Sequence, residues 1–207
     1  MELTLFFILL TVAFSFYAWN SPEIQAKCMM NPGSISKRRE YYRFLTSGFI
    51  HADIMHLGVN MFTFYFFGRS VELIYKALFG NFFGGFLFVL LYLLGIILSD
   101  LPTFYKHRNS YAYNALGASG GVSAIVFASI LFNPLNDVCL YGILCLPGFI
   151  LGVLYLVYSA SMKDASDGVN HEAHFWGALF GIVFDILVYP NVIFIFIEGI
   201  SSWRGFF

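Results

Sequence analysis

The chain has 207 residues and a formal net charge of −1; 59% of the residues are hydrophobic, 20% aromatic and only 11% charged. Soluble domains carry about 25% charged residues, so this composition excludes an ordinary water-soluble globule and describes an integral membrane protein with lipid as a partner. The lack of any basic excess excludes a nucleic-acid partner.

A bilayer-crossing helix takes roughly 17–25 apolar residues, and only helices and closed barrels satisfy their backbone in hydrocarbon. Six apolar runs predict an all-α bundle of six transmembrane helices, one domain over residues 1–207. The first covers 3–19; no basic residue precedes it and no small-residue cleavage site closes it, so a retained span is expected rather than a secretory signal. A long loop, 20–53, follows with Pro22, Pro32, Gly33, a basic cluster Lys37-Arg38-Arg39 with Arg43, and the aromatics Tyr41, Tyr42, Phe44 and Phe49. That mixture suits a structured loop in the headgroup zone.

The second span is 54–79, the third 82–98 and the fourth a short 117–132. The fifth is 138–158, with Pro147-Gly148 as a kink or opening turn, and the sixth is 172–189, ended by Pro190. An aromatic tail, 191–207, continues it or lies at the interface. Cys28, Cys139 and Cys145 lack CxxC spacing and predict neither a zinc site nor a disulfide framework. Cys139 and Cys145 are expected to pack as small hydrophobes.

Alternating direction makes the second, fourth and sixth helices parallel, so His56, Asn60, Ser119 and His174, all near the starts of those helices, share one membrane face. The loops on that face hold eight of the eleven Lys/Arg: Lys27, Lys37, Arg38, Arg39, Arg43, Lys106, Arg108 and Lys163. Taken alone, the positive-inside rule puts this face in the cytoplasm.

Ionisable groups within spans are costly and mark function by default. A serine hydroxyl is a weak nucleophile until an adjacent base takes its proton. Ser119 opens the fourth helix, whose first N–H groups lack intrahelical partners and can stabilise an oxyanion. Gly117, Gly120 and Gly121 around it permit a tight turn and close backbone approach. The same Gly-Ala-Ser-Gly-Gly run also reads as a packing face of small residues.

His174 lies one turn before Gly177, and Gly177 and Gly181 form a GxxxG that can press on the glycines of the fourth helix. That geometry points the imidazole at Ser119; the alternative is a histidine reaching the interface. His56 and Asn60, four apart, share a helix face and supply donors for an oxyanion site or polar glue between helices. His51 is expected to order local structure. A metal or haem site built from His51, His56, His171, Glu172 and His174 is weighed and not adopted: His171-Glu-Ala-His174 is one residue short of H-E-x-x-H, and such a site leaves Ser119 idle. No metal or cofactor is called for.

Taken together these motifs resemble the rhomboid intramembrane serine proteases over nearly the whole chain. The family's G-x-S-G is matched by Gly117-Ala118-Ser119-Gly120, its H-x-x-G-x-x-x-G by His174, Gly177 and Gly181, and its H-x-x-x-N by His56 and Asn60. Its loop aromatic–arginine pair is matched by Tyr42-Arg43 and its acidic residue late in the second helix by Glu72. The resemblance implies Ser119 as nucleophile, His174 as general base, and His56, Asn60 and the Ser119 amide as oxyanion donors.

Further implications are a Ser-His dyad without cofactor, transmembrane protein substrates, cleavage at small residues, cytoplasmic termini and a site towards the outer face, against the Lys/Arg count. Members often carry a tyrosine four residues after the serine, stacked on the catalytic imidazole; here that position is Ser123, so the ring's support must come from elsewhere. The compact form suggests a prokaryotic inner or plasma membrane. A non-catalytic membrane-client binder and a small transporter with a histidine proton relay are the alternatives. Nothing in the chain sets an oligomeric state.

Overall fold

The computed structural model describes residues 2–140, 144–165 and 167–205. Helices dominate. α1 (Leu3–Trp19) leads into three short helices, α2 (Pro22–Cys28), α3 (Pro32–Arg38) and α4 (Arg43–Thr46), the last continued by a 3-10 turn over Ser47–Phe49. The 20–53 segment is thus a folded layer with its own small core of Met30, Ile35 and Phe44. Met30 and Ala115 exchange backbone hydrogen bonds of 2.9 and 3.0 Å, tying this layer to the turn before Ser119.

α5 (Ile54–Phe79) begins at Asp53, whose carboxylate accepts the His56 N–H at 2.8 Å, and ends at Gly80, where φ of +82° favours glycine. The chain reverses there into α6 (Asn81–Ser99), and α7 (Leu101–His107) follows almost without a break, so half of the predicted polar loop 99–115 is helical. α8 (Ser119–Phe132) starts two residues later than predicted. It is the centre of the molecule: nearly every residue from Gly120 to Phe132 is buried, and α5, α6, α9 (Gly148–Ser161), α10 (His171–Val188) and α11 (Val192–Ser201) pack against it.

Small residues let the backbones approach. A Cβ at Gly177 of α10 would overlap the Gly120 carbonyl, and one at Gly181 would overlap that of Ala124. On the other side a Cβ at Gly121 would come within 2.9 Å of the Tyr92 carbonyl of α6. In lipid, where burial of apolar surface gives helices no drive to associate, such packing is what joins them.

The predicted fifth span is corrected. Residues Asp137–Leu140 (β1) and Leu144–Pro147 (β2) pair as an antiparallel hairpin, and α9 runs only over Gly148–Ser161. Pro147 lacks a backbone N–H and disfavours helix in the residue before it, so the helix starts after the proline and the preceding run pairs with itself. The expectation for the cysteines also fails: the register sets Cys139 opposite Cys145 and they form a disulfide. Hydropathy reports that these residues are apolar but not that they meet across a ladder.

Among the described residues two helical stretches are long and apolar enough to cross a membrane, Asn81–His107 and His171–Val188. α1, α8, α9 and α11 are apolar but shorter, and α5 carries Arg69, Glu72 and Lys76.

Candidate active site

The start of α8 is held from three sides. Gly117 sits at φ +120°, and a Cβ there would come within 2.6 Å of the His56 ring, so glycine is required both for the turn and for the contact. Its N–H donates to the Ser47 carbonyl at 2.9 Å. The next amide, Ala118 N–H, donates to Nε2 of His51 at 3.2 Å. That assigns the proton of His51 to Nδ1, which faces the Ser15 hydroxyl at 3.1 Å, while Ser15 donates to the Phe49 carbonyl at 3.3 Å. Burial holds the His51 imidazole down to about 3, with His56 adding to the effect; it stays neutral and fit to accept. Ser119 then begins the helix, with N–H groups of the first turn free of intrahelical partners.

Ser119, His56, Asn60 and His174 line one cavity of about 590 Å³. His56 sits edge-on to His51 at 4.9 Å between ring centroids. Asn60 donates one amide N–H to the His56 carbonyl at 3.0 Å, and its second donor remains for another acceptor. A separate space of about 20 Å³, lined in part by Ser99, Asp100, Ser119 and Asn170, lies at the start of α8; its size matches one water.

His174 is placed by the start of α10. Asn170 caps that helix: its Oδ1 accepts the Ala173 N–H at 3.1 Å and the Thr103 hydroxyl at 3.1 Å. The imidazole of His174 stacks on Tyr155 of α9, with ring centroids 6.1 Å apart and planes 21° apart, and the Tyr155 hydroxyl bonds Ser123 Oγ at 2.6 Å. His171 meets His174 edge-on at 5.8 Å and bonds Asp167 through Nε2 at 2.9 Å. That bond, with a second from the Val169 N–H, holds the Asp167 carboxyl below its ordinary range. Glu172 takes a hydrogen bond from Thr103 at 3.3 Å rather than serving His174.

Tyr155 and Asn170 were missed from the sequence. Asn170 could have been found, since asparagine just before a helical run is an N-cap signal; Tyr155 is one of 13 tyrosines and had no signal. Among the described residues no group of three His, Cys, Asp or Glu side chains could hold a metal ion.

The two remaining motif residues sit away from the cavity and brace the fold. Arg43 is 6% exposed; it donates to the Ala26 and Met29 carbonyls at 2.8 and 2.9 Å and pairs with Glu40 at 2.6 Å. Its guanidinium lies 5.7 Å from the centroid of Tyr42. Glu72, 2% exposed, accepts the Leu3 and Thr4 N–H groups at 2.8 Å each and the Thr4 hydroxyl at 2.7 Å, and pairs with Lys76. It fastens the head of α1 to α5.

The Rhomboid domain description matches residues 38–191, well over half the chain and all of the cavity. The chain belongs to the rhomboid family. It is 28% identical over 165 residues to "RHOMBOID-like protein 12, mitochondrial" of Arabidopsis thaliana, covering 72% of this chain and 48% of that protein. It is 29% identical over 163 residues to "Rhomboid-related protein 1" of Caenorhabditis elegans, covering 75% of this chain and 42% of that one. This rhomboid therefore spans less than half the length of either relative. As a rhomboid it is a membrane-integral protein. Both relatives are eukaryotic, so the expected prokaryotic source finds no support among them.

Proposed function

We propose that this rhomboid is a serine endopeptidase that cuts transmembrane protein substrates in or near the bilayer, with α1, α5, α6, α8, α9 and α10 as its six spans. The observation that carries the reading is one cavity shared by Ser119, His174, His56 and Asn60. His174 takes the proton from Ser119 Oγ as that oxygen attacks the scissile carbonyl. The Ser119 N–H, His56 and Asn60 receive the oxyanion, each donor lowering the barrier by about 3 kcal/mol. The C–N bond then breaks, the leaving amine takes the proton from His174, and an acyl-enzyme remains. Water, deprotonated by His174, hydrolyses it and frees Ser119.

A substrate helix reaches the cavity sideways between α5 and α9. Val59 of α5 and Tyr155 of α9 both line the cavity, and both helices carry exposed apolar side chains, Val59 and Phe62 on α5 and Val153 and Val157 on α9.

Labelling with a serine-directed fluorophosphonate tests the dyad. The wild-type chain should be modified at Ser119, with Ser119→Ala and His174→Ala unlabelled and unable to cut a reporter carrying a helix-destabilised transmembrane segment. Cleavage retained by either variant overturns the dyad. Client binding without labelling assigns the chain to the non-catalytic binders instead.

A further inference from the structure

We infer that Tyr155 is a positioning residue for His174, and that the seat of α9 therefore sets whether the dyad is competent. The inference rests on the protease reading and adds to it a residue from a helix that supplies neither nucleophile nor base.

A general base must hold its ring at hydrogen-bond reach and angle to the hydroxyl it serves. In many serine hydrolases a carboxylate does this; here no acidic side chain among the described residues bonds the His174 ring. What flanks that ring is Tyr155, nearly parallel at 21° and 6.1 Å, and His171, edge-on at 5.8 Å. A stacked neighbour fixes the plane of an imidazole, and an edge-on one limits its rotation.

Tyr155 is itself pinned. Its hydroxyl bonds Ser123 at 2.6 Å, and Ser123 stands one turn below Ser119 on the same helix. A chain of contacts thus runs from the nucleophile's helix, through Tyr155, to the base on α10. Ser123 and Tyr155 both line the catalytic cavity. The tyrosine ring expected at position 123 is replaced by a ring that arrives from α9, and the small side chain at 123 becomes its anchor.

The helix that carries this support buries little of itself, with Gly148, Gly152 and Ser159 as its buried residues. α9 has 14 residues, follows a hairpin rather than another long helix, and leaves Val153, Leu154 and Val157 exposed at 59%, 53% and 64%. Displacing α9 withdraws Tyr155 and frees the imidazole to turn. Substrate passage past α9 and alignment of the base are in this way coupled through a single ring.

The experiment uses the full chain in proteoliposomes, with two readouts: turnover of a fluorogenic transmembrane reporter, and the labelling rate of Ser119 by a small fluorophosphonate that needs no lateral passage. Tyr155→Ala should lower kcat and the labelling rate together, on the order of tenfold or more, with KM changed by less than about twofold. Tyr155→Phe keeps the ring without the Ser123 bond and should fall between. The double variant Ser123→Tyr/Tyr155→Ala returns a ring from α8 and should regain labelling relative to Tyr155→Ala.

A folded Tyr155→Ala chain that labels as fast as wild type overturns the inference, as does a rise in KM with kcat unchanged. If wild-type Ser119 itself does not label, it is the protease reading that fails.

Discussion

The smallest parts of this site are held by hydrogen bonds whose donors and acceptors fix protonation. His51 accepts the Ala118 amide only while neutral. Its imidazole is held at about 3 in the fold, against about 6.5 in an unfolded chain. The unfolded state therefore takes the proton first. The stabilisation is complete above pH 6.5 and is lost as pH falls towards 3, at up to about 1.4 kcal/mol per pH unit. Thermal melts should show the wild type losing more stability between pH 7.5 and 5 than His51→Gln does; equal losses would remove His51 from the account.

Gly117→Ala should abolish Ser119 labelling, because φ of +120° and the His56 ring both exclude a Cβ. Asn60→Ala should slow turnover by about 10²-fold without ending it, since one donor of several is lost; a loss equal to that of Ser119→Ala would mean its role is misassigned. His56, Asn60, Ser119 and His174 stand out in the sequence because their residue types recur at motif spacings, and the fold gathers all four round one cavity. The sequence marks His51 only as a loop organiser, and its bond to the amide before Ser119 depends on a fold of the 20–53 layer that no spacing encodes.

Among the helices, α8 acts as the common wall, and its neighbours are chosen by size. Gly181→Val places branched carbon against the Ala124 carbonyl of α8. It should unseat α10 and lower the melting temperature and the labelled fraction in parallel; a normal melt with normal labelling would show that α10 does not rest there. α5, α8 and α10 were legible to within two residues, because each pairs an apolar run with a polar or glycine start. α9 was not. Hydropathy sums over residues without regard to pairing, so a hairpin and half a helix read as one span. The punctuation that tells them apart was present in Pro147-Gly148.

Across the whole molecule, the Ser119 end and the opposite end are braced separately. At the opposite end Glu72 gathers three donors from α1 and the Lys76 ammonium, and Tyr75 bonds Asp185 across α5 and α10. Glu72→Ala strips the buried partner from all of these and should cost about 3 kcal/mol, read as a lowered melting temperature with α1 newly open to protease; an unchanged melt would reduce Glu72 to a bystander. The Cys139–Cys145 bond lies at that same end, beyond the last turn of α8. Such bonds persist in secretory and extracytoplasmic spaces and are reduced in the cytosol, so this one is a compass needle for the protein. If thiol counting on freshly blocked membranes finds the pair protected until reductant is added, the hairpin looks out of the cell or organelle and Ser119 opens inward, in step with the lysine and arginine bias. If both thiols react at once, the molecule stands the other way up, with Cys28 at its crown as the built-in control.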